Sequence, residues 1–179
     1  MKANTSSTAK RSEQGRGSQS GVLRHALFRG KEQFMLTEIT QKALVGAWRL
    51  VSFHLRTLDG EVTYPYGPDA VGYYIFSESG HMSVAFMRTN RRKFAAGDIM
   101  GGSTEEKVAA AETYIGYSGK YEIQGDKLVV HPDVSFFPNW VGVDQVRIWE
   151  LEGTRLTLST PPLLVRGVQQ TAHLVWERI

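Results

Sequence analysis

From Leu44 to the last residue the chain is written in short runs of Val, Ile, Tyr, Phe, Trp and Thr, each closed by Gly, Asp or Pro. That rhythm excludes a helical bundle and a doubly wound α/β fold, because neither tolerates so many β-rich runs separated by turns. Eight or nine runs are recognisable: Leu44 to Arg56, Glu61 to Tyr64, Val71 to Ser77, His81 to Met87, Tyr117 to Gln124, Lys127 to Val134, Asp144 to Leu151, Arg155 to Thr160 and Thr171 to Ile179. Glu78-Ser79-Gly80, Gln124-Gly125-Asp126 and Glu152-Gly153-Thr154 are tight turns, so the runs they join are antiparallel hairpins. Periodicity alone leaves a sandwich and a barrel equally open.

One segment breaks the pattern. Ser103 followed by Glu106 is a capping box, Glu105 and Glu106 suit the positive end of a helix, and Val108-Ala109-Ala110-Ala111 has high helix propensity. A helix from Ser103 to Tyr114 is expected, as a lid or plug on a barrel.

The whole chain is large enough for one domain with a packed core. Its net charge of +3 is unevenly placed. Residues 1–35 carry seven basic residues against two acidic ones, a net of +5, which leaves residues 36–179 at −2. A basic surface is therefore not expected of the folded part, and nucleic acid is not expected as a partner. The lack of cysteine excludes disulfides and thiolate metal sites and suits a reducing, cytoplasmic compartment. No run is long and apolar enough for a helical membrane span. Residues 1–40 read as a disordered basic extension with a short lead-in, and residues 41–179 as the folded domain. An organelle transit peptide is the alternative reading of the extension, and Met35 is an alternative start.

The phrases LVGAWRLVSF at 44–53, YGPDAVGYYIFSESGHMSV at 66–84, YIGYSGKYEI at 114–123, HPDVSFFPNWVG at 131–142 and LVWERI at 174–179 resemble, in this order, the cytoplasmic bacterial and fungal lipocalin-like proteins. The resemblance covers about residues 41–179. It implies an up-and-down antiparallel β-barrel of about eight to nine strands with one inserted helix and an interior cavity. It further implies that Trp48, in the Gly-x-Trp opening, sits at the barrel base under the late Arg178. An arginine over an indole contributes roughly 0.5–2 kcal/mol. The competing view is that Arg178 is a solvated terminal residue.

Enzyme signatures are missing: there is no nucleophile elbow, phosphate-binding glycine loop or His-Glu-x-x-His helix, and the five histidines never stand at i,i+2 or i,i+4. Neither a metal nor a cofactor is expected. If Trp48 and Arg178 point inward, strict alternation sends Leu50, Ser52, His54, Leu174 and Trp176 inward too. On the run Asp144 to Leu151, one face carries Val146 and Ile148, the other Gln145, Arg147, Trp149 and Leu151. The second face mixes apolar walls with polar anchors as a ligand cavity does. The loop Phe136-Phe137-Pro138-Asn139-Trp140 is either the cavity mouth or a packed corner.

Ligand-binding candidates are Gln145, Arg147, Trp149, His131, Tyr73, Tyr117, Trp140 and Trp176. The leading function is enclosure of a small apolar or aromatic molecule. A cyclase or isomerase acting on a polyketide- or terpenoid-like substrate is the alternative, with His131, Arg147 and His54 as candidate catalytic residues. A structural module with a filled barrel is the third. The oligomeric state is left open.

Overall fold

A computed structural model describes Met35 and residues 39–179. The expected disordered extension over 1–34 lies outside the described residues. A helical lead-in, 39–44, runs into ten strands: β1 (Gly46–Thr57), β2 (Val62–Thr63), β3 (Val71–Phe76), β4 (His81–Met87), β5 (Tyr114–Gln124), β6 (Lys127–Ser135), β7 (Gln145–Glu152), β8 (Arg155–Ser159), β9 (Leu163–Val165) and β10 (Val168–Arg178).

Eight of them close a ring. Neighbours in sequence pair antiparallel from β3 to β8, β8 pairs β10, and β1 joins β10 to β3. The β1–β10 seam runs from Trp48 opposite Arg178 to Thr57 opposite Gln170, and it decides for a barrel over a sandwich. β2 and β9 are short additions on β1 and β10. The up-and-down lipocalin-like barrel expected from the sequence is the observed fold; β9 is an extra strand too short to read from pattern.

The ring has two distinct ends. The base carries the lead-in, the hairpin turns at 77–80, 124–126 and 152–154, and the C-terminus; the mouth carries the long connections 88–113, 136–144 and 160–167.

Alternation places Tyr74 and Phe76 of β3, Met82, Val84 and Phe86 of β4, and Ala172, Leu174 and Trp176 of β10 in the interior. Gly72 belongs to the same inward face. A Cβ there would clash with the backbone and Cβ of Phe86, so only glycine lets these two strands meet.

β1 departs from strict alternation. Its register with β10 slips between Leu50 and Ser52, where Val51 is one residue too many. This β-bulge turns the second half of the strand over, so Trp48 and Leu50 point inward and are followed by Phe53 and Leu55. Ser52 and His54, expected inside, stand on the outer wall instead.

The inserted helix α1 (Thr104–Ala111) carries the expected capping box: Ser103 Oγ accepts from Glu106 N, and the Glu106 carboxylate accepts from Ser103 N at 2.8 Å. It is shorter than expected because Tyr114 already opens β5. No residue of α1 is buried, so it is neither a plug nor part of the core. Among the described residues no helix is long and apolar enough to cross a membrane.

Candidate functional site

At the base the interior is filled. The Trp48 indole is wholly buried and donates from Nε1 to Leu44 O at 2.9 Å. Arg178 stacks over it with its guanidinium carbon 4.2 Å from the ring centroid. The same guanidinium donates to Val45 O at 2.8 Å and to Ala43 O. Gly46 between them has φ +133°, and a Cβ on it would lie 2.9 Å from Arg178 Nη1. The Gly-x-Trp motif therefore has a steric cause: the glycine makes room for the cation that the tryptophan receives.

Towards the mouth the packing opens into a cavity of about 580 Å³, within the roughly 300–1,000 Å³ usual for small-molecule sites. Its walls are apolar and largely aromatic. Phe53, Tyr66 and Phe86 form one cluster, with centroids 5.0–5.6 Å apart. Trp140 meets Tyr117 edge-on at 5.3 Å and Phe137 at 5.6 Å. Leu158, Leu174 and Trp176 line the opposite side. The loop containing Phe137 and Trp140 holds a short 3-10 turn (Pro138–Trp140) that lines the mouth. It stands where β6 and β7 have parted, since they pair only from Lys127 to Val130.

The polar side of the cavity comes from β3, β5 and β7. Arg147 is 8% exposed, donates to Tyr117 Oη at 3.2 Å and to Val146 O at 2.8 Å, and has no salt-bridge partner among the described residues. Gln145, nearer the mouth, donates to Val143 O at 3.1 Å. Tyr74 is 1% exposed, its hydroxyl has no hydrogen-bond partner among the described residues, and burial raises its pKa well above the phenol value. Trp176 Nε1 is likewise buried and unpartnered.

Of the residues singled out in the sequence, Gln145, Arg147, Tyr117, Trp140 and Trp176 line this cavity. Three ligand-binding candidates do not. Tyr73 is 54% exposed on the outer wall, because neighbours in a strand face opposite ways and Tyr74 is the inward one. His131 also points outward, between the buried Val130 and Pro132, and its ring lies 2.7 Å from Asp144 Oδ1 and 3.7 Å from Glu122 Oε1. Trp149 shares the inward side with Arg147 but sits nearer the base, where it packs on the core and donates to Gly125 O at 3.2 Å.

The catalytic candidate His54 stacks on His173 across the outer seam, centroids 5.0 Å apart. With both imidazoles outside, no histidine or carboxylate lines the cavity among the described residues. Arginine stays protonated, which leaves it an electrostatic part and no proton to exchange. The filled-barrel reading fails on the cavity itself. No cluster of three or more metal-ligating side chains occurs among the described residues.

Of the adjacent phenols Tyr73 and Tyr74, either of which could reach a cavity by residue type, it is Tyr74 that lines it. β4 alternates cleanly, and the turn at 77–80 sets Phe76 opposite Met82; cross-strand partners share a face, so the hairpin as a unit points Tyr74 inward.

Residues 45–179 match the family described as Lipocalin-like domain. A carrier protein for 4'-hydroxy-3'-methoxypropiophenone from Aspergillus oryzae is 30% identical over 107 residues, which is 55% of this chain and 96% of that protein. Among solved structures the chain is similar to a lipocalin-like protein from Bacteroides uniformis (14% identity, TM-score 0.41, 76% of this chain and 98% of that one) and to an uncharacterized protein from Bacteroides eggerthii (17%, 0.40, 76% and 99%).

Proposed function

Given that the chain belongs to the lipocalin-like domain family, we propose that it carries a small aromatic molecule with an apolar body and a hydrogen-bond-accepting oxygen, anchored by Arg147. The observation that carries this reading is the pairing of an apolar, aromatic-walled cavity with one buried guanidinium that no carboxylate among the described residues neutralises. Burying a charged group without a counter-group is unfavourable, so the cavity is better satisfied occupied than empty. Gln145 adds an adaptable amide beside it. The aromatic ketone named for the Aspergillus oryzae relative has the matching chemistry: a flat ring, a carbonyl and a phenol.

Titration with that ketone, followed by tryptophan fluorescence, tests the reading, since Trp140 and Trp176 both line the cavity. Saturable binding is expected, together with a co-purifying small molecule in native mass spectrometry of the isolated protein. A flat titration with an empty barrel in the spectrometer would refute the carrier function.

A further inference from the structure

Among the described residues, the titratable and charged groups lining the cavity are all cationic or phenolic. Tyr74 faces it from β3, Tyr117 from β5, Arg147 from β7, Tyr66 from the loop before β3, and Arg166 from the turn between β9 and β10. Tyr121, on the base side, is close enough to act on Tyr74. The field inside is therefore positive.

Two of the five N–H groups of Arg147 are used, both on neutral oxygens, and three are left. The buried orphans on the wall, Tyr74 Oη and Trp176 Nε1, can both donate. An oxygen seated among these groups gains most if it is negative, because charge-assisted hydrogen bonds are about twice as strong as neutral ones.

Granted the carrier reading above, we infer that the cavity holds an acidic hydroxyl of its ligand, a phenol or enol conjugated to a carbonyl, as the oxyanion against Arg147 and Tyr74. Capture of the neutral acid then breaks its O–H bond, leaves the electron pair on oxygen and releases the proton to solvent. The ligand yields its proton before the tyrosines do, because conjugation with a carbonyl makes its hydroxyl more acidic than tyrosine's. Tyr74, driven by burial to keep its own proton, remains a donor.

The test is an absorbance titration with 4-hydroxypropiophenone at a pH where the free probe is neutral, beside its methyl ether, 4-methoxypropiophenone, which cannot ionise. The wild-type protein should bind the phenol with the red-shifted spectrum of the phenolate and at least about tenfold tighter than the ether, the ratio expected when the bound hydroxyl's pKa lies about one unit below the working pH. Calorimetry in buffers of different ionisation heat should show the released proton. Arg147→Met should return the neutral spectrum and erase the difference between the probes, and Tyr74→Phe should shrink the red-shifted fraction. A wild-type complex with a neutral-phenol spectrum and equal affinity for both probes would overturn this inference and leave the carrier reading standing. If neither probe binds, both are overturned.

Discussion

The two ends of the barrel handle an arginine in opposite ways. At the base, Arg178 lies flat on Trp48 and donates to the carbonyls of Ala43 and Val45, the last turn of the lead-in. It closes the barrel as a lid closes a jar, and its charge is met by dipoles of the chain's own backbone. Nearer the mouth, Arg147 also makes two hydrogen bonds, yet it is buried where Arg178 is half-buried, it lies farther from its aromatic neighbour, 5.9 Å from the Tyr117 centroid, and it borders empty volume. A half-buried cation can turn its remaining N–H groups to solvent and serve the structure; a buried one beside a cavity keeps them for a ligand. The same contrast separates the indoles, since Trp48 Nε1 has a carbonyl partner and Trp176 Nε1 has none.

Breaking the base should hurt folding most. Trp48→Ala is expected to cost about 3–5 kcal/mol in urea or thermal unfolding, as a large buried aromatic whose site cannot collapse. Arg147→Met sharpens the comparison from the other side: it should leave unfolding nearly unchanged, or raise stability slightly, while weakening ligand binding by about 1.5–3 kcal/mol in a fluorescence titration.

Arg178→Ala should lower stability by less than Trp48→Ala, and a double-mutant cycle between the two should show a coupling of at least about 0.5 kcal/mol. Strict additivity would mean that the stacked contact contributes nothing.

The smallest effect belongs to the outer wall. Burial and then the nearby Arg56 hold the pKa of His54 below the ordinary 6.5, and burial, the stacked His54 and then Arg56 hold that of His173 below it. The folded state thus prefers both neutral, so their contribution is complete above 6.5 and lost as pH falls through the lowered folded values. Unfolding midpoints measured on either side of 6.5 should decline slightly on the acid side, and His54→Gln should flatten the decline.

Much of this was legible because local signals and global closure agree. The turns Gly125 and Gly153 announce hairpins, Ser103 and Glu106 announce a helix start, and the alternation of β7 offers a choice that Arg147 and Gln145 resolve by facing the cavity. What escaped reading depends on facts outside any single strand. His131 and Tyr73 looked like site residues by type, but an outward face is decided by partners in the ring. Trp149 faces inward and still misses the cavity, because depth along the barrel axis leaves no trace in period-two alternation. The inversion of β1 comes from an unpaired Val51, and nothing in GAWRLVSFHLRT marks one residue as surplus.

That surplus residue makes the barrel's interior a matter of parity. Trp48 is placed by the motif at one end of β1, while Phe53 and Leu55 reach the cavity because the surplus Val51 is bulged out of the pairing between them. A lineage that dropped Val51 would make β1 regular and leave Phe53 and Leu55 inside, whereas one that kept the residue but paired it in register would turn the strand over and offer Ser52, His54 and Arg56 to the interior in place of an apolar wall. The bulge thus lets β1 carry one residue more than its partner strand without trading its apolar wall for a polar one.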